Sequence, residues 1–268
     1  MVGTPFIFSF YFMSTEILDV AVSAAKMGGA VILHYFETGI AREVKDDKSF
    51  VTVADKEAES AIIGEIKKHF PGHSILSEES GEETQDSTYQ WIIDPLDGTA
   101  NFVNGIPLFA VSIAVLKGGV PVVGVIFQPV GNSLYFAEQG KGTFWNGKKA
   151  TVSGEDTEHA VITFSPGKKS KKDLNALFGH AEDFVKSKRY LGCAALDLAY
   201  VARGGTEGVF FLGLNKWDYA AGVLLVAEAG GTLTDFSGKS WVFGSSDYFV
   251  ASNGKVHDAL LALAKKAA

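Results

Sequence analysis

Two aspartates three residues apart lie in the segment DPLDGT, residues 94–99. Pro95 fixes its own φ at about −65° and disfavours helix at the residue before it, so the chain is expected to leave the preceding strand at Asp94. The turn holds Asp94 and Asp97 close together, and two carboxylates in a small site repel unless a cation neutralises them. Because oxygen ligands select hard cations, the pair predicts a Mg²⁺ site. The alternative interpretation is a turn with two solvated aspartates.

The residues after this pair could hold an anion. Gly98 tolerates unusual backbone angles, and Thr99 with Asn101 can begin a short helix whose first N–H groups lack helical partners. The sequence therefore predicts an anion cradle beside an acidic cluster.

Two further acidic groups could join this cluster. Glu78 and Glu79 directly follow a predicted buried strand at residues 73–77, as Asp94 follows one at residues 89–93. Parallel neighbours would bring both strand ends to one edge, where α/β folds place their ligands. Asp218 opens a predicted helix rich in small residues. Taken singly, the glutamates could belong to an exposed acidic loop, and Asp218 could be an N-terminal residue favoured by the helix dipole.

These candidates require a layered framework of helices and strands. Helical spacing of apolar residues predicts helices at residues 15–36, 54–70, 172–187, 194–203, 217–228 and 255–267. Alternating apolar and polar residues between Gly-rich turns predict an antiparallel meander at residues 109–152. Short strands are predicted around Val161, Val209, Leu233 and Phe249. The predicted fold class is α/β (α+β layered), with an antiparallel N-terminal sheet and a smaller C-terminal α/β lobe.

The chain is predicted to be one compact domain of two lobes. Residues 13–152 form the N-terminal lobe with most acidic candidates, and residues 153–268 form the C-terminal lobe with Asp218. The apolar residues 1–12 lack the basic start and cleavage site of a signal peptide, and they fall short of the ~20 residues of a spanning helix, so they are predicted to be a disordered or dispensable extension. Exposed loops are predicted at residues 42–49 and 165–173, the second as a hinge or linker.

Composition excludes several classes of protein. Of 268 residues, 47% are hydrophobic and 21% charged, which indicates a globular chain that can bury a sizeable core. The net charge of −7 argues against a protein that coats nucleic acid, since phosphate neutralisation needs dominant basic patches. Cys193 is the single cysteine, so it forms no internal disulfide. One cysteine is also too few for a cysteine-based zinc site. No membrane partner and a cytoplasmic location are expected.

Taken together, the motifs resemble the inositol monophosphatase family of Mg²⁺-dependent, lithium-sensitive sugar phosphatases. The resemblance rests on residues 94–102 (DPLDGTANF), residues 217–222 (WDYAAG), residues 49–55 (SFVTVAD) followed by Glu59, and the pair Glu78-Glu79. Their order and spacing agree with the family from about Ser14 to the C-terminus. The family fold alternates helix and sheet layers, and its members usually form homodimers.

The resemblance implies a centre of two or three Mg²⁺ ions. It assigns Glu78, Asp94 and the backbone carbonyl of Leu96 to a first ion. The second ion is assigned to Asp94, Asp97 and Asp218. A weaker third ion is implied near Glu78, with Asp55 and Glu79 in support. Mn²⁺ is a possible substitute, and Li⁺ and Ca²⁺ are expected inhibitors.

The implied reaction is direct, in-line hydrolysis of a phosphate ester by water, in which Thr99 paired with Asp55 orients the water and Glu78 assists. Substrate-binding positions are implied at Asp97, Gly98, Thr99, Gly192, Cys193, Ala194, Phe211 and Asp218. Cys193 contributes its backbone there and is not a nucleophile. Many inositol-specific relatives carry a glutamate at the position of Phe211, and a phenylalanine cannot accept hydrogen bonds from ring hydroxyls. The alternative is that Phe211 points into the core of a strand.

The predicted substrate is therefore a small polyol or sugar phosphate of the inositol 1-phosphate type. Fructose 1,6-bisphosphate, histidinol phosphate and the 3′-phosphate of phosphoadenosine nucleotides remain open within the same fold. A purely binding or regulatory protein is the alternative from another class. Loss of metal ligands would be tolerated in such a protein, and none is lost here.

Overall fold

The structure is a computed structural model that describes residues 15–38, 42–44, 50–167 and 170–267. The predictions for residues 1–12 and for most of the loop at 42–49 concern residues outside these ranges. Its helices are α1 (Glu16–Thr38), α2 (Val53–His69), α3 (Thr99–Val103), α4 (Lys171–His180), α5 (Ala194–Ala202), α6 (Lys216–Glu228) and α7 (His257–Ala267). A 3₁₀ turn spans Ala181–Asp183.

The described strands form three sheets. The strands of the N-terminal half are β1 (Arg42–Val44), β2 (Phe50–Thr52), β3 (Ser74–Ser77), β4 (Gly81–Glu83), β5 (Tyr89–Asp97), β6 (Ala110–Lys117), β7 (Val120–Gln128), β8 (Ser133–Glu138), β9 (Gly142–Trp145) and β10 (Lys148–Ala150). Those of the C-terminal half are β11 (Val161–Pro166), β12 (Ser187–Arg189), β13 (Gly208–Leu212), β14 (Thr232–Thr234) and β15 (Tyr248–Ser252). The sheet orders are β1-β2, β10-β9-β8-β7-β6-β5-β3-β4 and β12-β11-β13-β15-β14.

Alternation along the strands explains why both large sheets are covered on two faces. In β6, the odd positions Val111, Ile113 and Val115 pack in one hydrophobic cluster with α1 and α2. The even positions Ala110, Ala114 and Leu116 pack in another cluster with α5 and α6. Successive strand residues point to opposite faces, so one strand contributes to two cores.

The five-stranded sheet repeats this pattern. Val209 and Phe211 of β13 join the cluster of α5 and α6, whereas Phe210 and Leu212 pack with α4 and α7. The result is five layers, in the order α1 and α2, the eight-stranded sheet, α5 and α6, the five-stranded sheet, α4 and α7. The prediction of an α/β protein with alternating layers and an antiparallel N-terminal meander is confirmed.

One hydrophobic cluster contains residues from both sides of residue 152, including Ile92 and Ile126 from the N-terminal side and Leu198 and Phe249 from the C-terminal side. The two predicted lobes thus share a core. Their exact division stays a prediction.

Three local predictions were wrong because strand pairing overrides local pattern. The predicted loop at 42–49 begins with β1, which pairs antiparallel with β2. The predicted helix at 172–187 ends at His180, and Ser187 instead begins β12, which pairs parallel with β11. The predicted hinge at 165–173 starts inside β11, and the buried Ser170 donates a hydrogen bond to the carbonyl of Leu212, so its described part is fixed in place.

Among the described residues, α1 is the one helix long and apolar enough to cross a membrane by length and composition. Its buried face includes Ala21, Ala25 and Ile32 and packs against α2 and β7. That packing is typical of a core helix.

The crossing of α5 and α6 depends on Gly222, because a Cβ atom there would lie 2.5 Å from Cβ of Leu198. We expect Gly222→Ala to lower the free energy of unfolding by about 1–3 kcal/mol through overpacking. Gly64 is the matched control, since a Cβ atom at this position in α2 meets nothing within 4 Å. Gly64→Ala should raise the free energy of unfolding by about 0.5–1 kcal/mol. Denaturant unfolding measures the free energy of unfolding of both variants. Changes of the same sign would contradict the close contact of α5 and α6 at Gly222.

Candidate metal centre

A β-bulge brings Asp94 and Asp97 to the same side of β5. Residues three apart in a regular strand point to opposite faces. Here Asp94 pairs with Ser112 and Asp97 pairs with Ala110, so β5 has one more residue than β6 over this stretch. Pro95 lies in the bulge, where its missing N–H costs no ladder hydrogen bond. The prediction that the chain leaves the strand at Asp94 was therefore wrong: the strand continues to Asp97 through a bulge.

Asp218 approaches from the layer of helices on that side. Helix α6 begins at Lys216, and Asp218 accepts a hydrogen bond from the backbone N–H of Asn215 at 2.7 Å through Oδ2, as part of a capping box. Ser112 of β6 donates to the carbonyl of Trp217 at 3.4 Å, which ties the start of α6 to the strand beside Asp94. The helix start is therefore fixed both to its own cap and to the sheet.

Carboxylate oxygens of Asp94, Asp97 and Asp218 lie within 4.8 Å of one another. Burial raises the pKa of Asp94 well above its usual value, and repulsion from Glu78, Asp97 and Asp218 raises it further. Burial also raises the pKa of Asp97 to about 6, although hydrogen bonds from Ala195 and Cys193 oppose the shift. A cluster of buried carboxylates that resist ionisation together fits an oxygen-coordinated cation that neutralises them. The donor set therefore fits a hard divalent metal.

The other predicted ligands lie around this cluster. Glu78 follows β3, and its backbone N–H donates to the carbonyl of Ile93 at 3.2 Å. Because β3 and β5 pair in parallel, their ends meet at the same edge, as predicted. The side chain of Glu78 is close enough to raise the pKa of Asp94.

Thr99 links Asp55 to the bulge. Its Oγ1 lies 3.0 Å from the carbonyl oxygen of Leu96 and 3.5 Å from Oδ1 of the buried Asp55. The single hydroxyl hydrogen can be donated to only one of these acceptors at a time. The structure thus brings Asp55, Thr99 and the Leu96 carbonyl together.

The predicted anion-binding residues meet at Asp97. Gly98 has φ +88°, and a Cβ atom there would lie 2.8 Å from the carbonyl oxygen of Leu108, so only glycine fits. The backbone N–H of Ala195 donates to Oδ2 of Asp97 at 2.6 Å, and Sγ of Cys193 lies 3.1 Å from the same oxygen. Backbone N–H groups of Gly98 and Ala194 also lower the pKa of Asp97. Gly192 precedes them with φ +73° and packs on Asn101.

Phe211 does not reach a substrate with its side chain. It lies in β13 with no exposed surface, its ring stacks on Phe249 at 4.6 Å between centroids, and it meets Tyr219 edge-on. The interpretation of Phe211 as a substrate-binding side chain is corrected by this packing. The alternative from the sequence, a core residue of a strand, is the arrangement found.

Three residues support the site in roles that the sequence did not reveal, although Glu59 and Asn101 already belong to its motifs. Glu59 is buried on α2 and accepts hydrogen bonds from the Ser77 hydroxyl and from the backbone N–H of Glu79 at 3.1 Å, so it fixes the turn that carries Glu78. Its spacing of four from Asp55, on a helix with an apolar face, was the available signal. Asn101 donates to the carbonyls of Leu108 and Leu191 at 2.7 and 2.8 Å. Asp197 is the third.

Comparison with known proteins agrees with this geometry. The profile of the inositol monophosphatase family matches residues 13–268. The Nus factor SuhB of Escherichia coli K12 is 43% identical over 256 residues, covering 91% of this chain and 94% of that protein. A fructose-1,6-bisphosphatase/inositol-1-monophosphatase of Aquifex aeolicus is 38% identical over 255 residues, covering 93% and 95%. The crystal structure of the extragenic suppressor protein SuhB from Bartonella henselae is 37% identical, with a TM-score of 0.89 over 94% of this chain and 99% of that one. A family match over nearly the whole length, with the acidic cluster assembled in the same chain, means that this protein belongs to the inositol monophosphatase family.

Proposed function

We propose that this protein is a Mg²⁺-dependent phosphomonoesterase that hydrolyses a small polyol or sugar phosphate. The observation that carries the proposal is the convergence of Asp94, Asp97 and Asp218, with ligand oxygens within 4.8 Å of one another. Three carboxylates at this spacing, of which Asp94 is buried, destabilise the metal-free protein, and such a cost is expected at a functional site. Membership of a phosphatase family supports the reaction class.

The residues that would hold Mg²⁺ are Glu78, Asp94 and the Leu96 carbonyl for one ion, and Asp94, Asp97 and Asp218 for a second. Bound Mg²⁺ supplies positive charge for the phosphate and lowers the pKa of a coordinated water. A weaker third ion near Glu78, Asp55 and Glu79 is part of the proposal. Mn²⁺ is proposed as a substitute, and Li⁺ and Ca²⁺ as inhibitors.

Thr99 and Asp55 are proposed to orient the attacking water. When the Thr99 hydroxyl donates to Asp55, its oxygen lone pairs are available to accept a hydrogen bond from water. The present geometry has the hydroxyl closer to Leu96, at 3.0 Å, than to Asp55, at 3.5 Å. A small rotation of the threonine side chain would therefore complete the arrangement, after which Asp55 receives the proton through Thr99.

Backbone N–H groups are proposed to bind the phosphate and the substrate hydroxyls. The proposed donors are Thr99 and Cys193, together with Gly98 and Ala194, whose N–H groups also lower the pKa of Asp97; Gly192 shapes the turn. Helix N-termini favour anions because their first N–H groups lack helical partners. Asp97 and Asp218 would face the substrate from the metal side.

The residue at position 211 bears on the selectivity among small polyol and sugar phosphates. Position 211 carries a phenylalanine, which has no acceptor for hydrogen bonds from ring hydroxyls and is buried in the core. An unpaired buried hydroxyl costs about 1–3 kcal/mol, so we propose that myo-inositol 1-phosphate is bound less well than by relatives with glutamate there. The Aquifex aeolicus relative carries both a fructose-1,6-bisphosphatase and an inositol-1-monophosphatase name, which supports testing both substrates.

The test is phosphate release from a panel of phosphomonoesters with purified protein. The panel contains inositol 1-phosphate, fructose 1,6-bisphosphate, histidinol phosphate, a 3′-phosphoadenosine nucleotide and glycerol phosphate as an acyclic control. Each is measured with Mg²⁺, with Mg²⁺ plus Li⁺, and with a chelator. Release that requires Mg²⁺ and falls with Li⁺ supports the proposal, whereas no release from any substrate refutes it.

A binding role is the second candidate, because the 43% identical relative is named a Nus factor. The intact cluster of Asp94, Asp97 and Asp218 favours catalysis over a role that needs no metal. The proposal includes a cytoplasmic location, no nucleic-acid or membrane partner, and a homodimer. Sedimentation of the pure protein tests the homodimer.

A further inference from the structure

The orientation of Asp97 depends on the first turn of α5. Its Oδ2 accepts the N–H of Ala195 at 2.6 Å and lies 3.1 Å from Sγ of Cys193. Asp97 is the last residue of β5, at the bulge, so the strand itself does little to orient its carboxylate. A displacement of the helix start would therefore turn the carboxylate away from Asp94 and Asp218.

Asp197 belongs to the same helical turn. Its backbone N–H donates to the carbonyl of Cys193 at 3.1 Å and so closes this turn. Its side chain is completely buried, and Oδ2 accepts a hydrogen bond from the hydroxyl of Ser165 on β11. Oδ1 is buried and makes no hydrogen bond of good geometry among the described residues, although the Thr163 hydroxyl on β11 is close enough to lower the pKa of Asp197. Asp197 therefore connects the helix start to the five-stranded sheet, on the side away from Asp97's own strand.

A buried carboxyl is costly at this position unless it is neutral. Burial raises the pKa of Asp197 to about 8, the Ser165 hydrogen bond opposes the shift, and the charge of Asp97 adds to it. The side chain is thus mainly a neutral acid at pH 7. Because Oδ2 accepts from Ser165, the acid proton belongs on Oδ1, which is where asparagine would place its NH₂ group.

We propose that Asp197 is a positioning residue for the metal ligand Asp97, acting through the hydrogen bond with Ser165 that fixes the first turn of α5 against β11. This rests on the proposed function, because it assigns Asp97 to the Mg²⁺ centre. Asp197 touches neither the metal nor the substrate in this arrangement. Asp197 instead fixes the positions of the Ala195 N–H and the Cys193 thiol beside the Asp97 carboxylate.

The test compares Mg²⁺ binding with stability. Isothermal titration calorimetry gives the Kd for Mg²⁺, and thermal unfolding in chelator gives the stability of the metal-free protein. Removing a group that orients a metal ligand typically weakens metal binding about 10–100-fold. We expect that loss for Asp197→Ala, and a loss of at least about fivefold for Ser165→Ala. Asp197→Asn imitates the neutral acid, so its Kd should stay within about threefold of the parent protein.

Leu260→Ala is the matched control, because Leu260 is fully buried on α7 in a cluster that excludes α5. This variant should lower the melting temperature and leave the Kd for Mg²⁺ unchanged. Asp197→Ala with a parent-like Kd, or Asp197→Asn with a Kd as weak as that of Asp197→Ala, would overturn the proposal. If Asp197→Ala does not fold, Ser165→Ala decides in the same way.

The outcome for the proposed function is separate. A parent protein that binds Mg²⁺ but releases no phosphate refutes the phosphatase, whereas the comparison of Kd values among the variants still decides the role of Asp197. A parent protein that binds no Mg²⁺ overturns both.

Discussion

Asp94→Asn is expected to lower the Mg²⁺-dependent rate of phosphate release by about 10³-fold or more, equivalent to about 4 kcal/mol of transition-state stabilisation. Asp94 is the residue shared by both proposed ions, it is 1% exposed, and one of its oxygens already accepts the N–H of Leu96 at 3.0 Å. An amide supplies one neutral oxygen in place of a charged carboxylate. The loss is measured as kcat at saturating Mg²⁺, so that weaker metal binding alone does not account for it.

The same variant should stabilise the metal-free protein. Burial and three acidic neighbours raise the pKa of Asp94 far above that of an unfolded chain, so at pH 7 its ionisation favours unfolding. Replacing it with a neutral amide removes that repulsion, and the melting temperature in chelator should rise. Asp247→Asn is the control, because Asp247 is an exposed aspartate outside the cluster. An Asp94→Asn protein that keeps most of its rate would exclude the proposed ligand set.

The site was predictable from sequence where the chemistry lies in local motifs. The DPLDGT segment, the Glu78-Glu79 pair and the Asp218 helix start each indicated an acidic group near a strand or helix end. Parallel pairing of β3 and β5 explains why the first two groups converge, whereas α6 brings Asp218 to them. The bulge was not predictable, because the extra residue of β5 is defined only against its partner β6. Without the bulge, Asp94 and Asp97 would point to opposite faces.

Adjacent residues of β13 show the same limit of prediction from local sequence. The run VFFL at residues 209–212 is equally apolar throughout, so its pattern alone does not say which phenylalanine faces the helices near the site. Register in the sheet directs Phe211 toward α5 and α6 and Phe210 toward α4 and α7. Whether position 211 meets substrate is thus decided by packing between layers that are distant in sequence.

Long periodic helices and the meander were predicted well, whereas two of the three-residue strands, β1 and β12, were not. Helix α2 matches its predicted bounds within a residue because one face carries Ala58, Ile62 and Ile66. Strands β1 and β12 have three residues each, and their hydrogen bonds come from partners elsewhere in the chain. Such strands have little intrinsic preference, so local sequence assigned β1 to a loop and extended a helix as far as Ser187, the first residue of β12.

The stability of the metal-free protein is expected to fall as the pH rises, and the stabilisation by Mg²⁺ is expected to increase. In the metal-free protein, the pKa of Asp97 is raised from the unfolded value of 3.8 to about 6, and the pKa of Asp94 is also raised well above its unfolded value. A carboxyl whose folded pKa is raised costs nothing below its unfolded pKa, and its full cost is present above the folded pKa. A shift of about two units corresponds to about 3 kcal/mol, so Asp97 alone should lower stability by that order between pH 4 and pH 7.

About half of this cost develops between pH 5 and pH 8, so thermal unfolding in chelator should show a melting temperature that falls by about 3–6 °C over that range through Asp97 alone, given roughly 2–4 °C per kcal/mol for a chain of this size. Mg²⁺ binds the ionised carboxylates and so competes with their protons, and it should raise the melting temperature more at pH 8 than at pH 5. Asp94→Asn removes one of the repelling charges, so its melting temperature in chelator should fall less over the same range. Equal stabilisation by Mg²⁺ at both pH values would mean that these carboxylates do not share a cation. A metal-free melting temperature that rises toward pH 8 would mean that they do not repel one another in the fold.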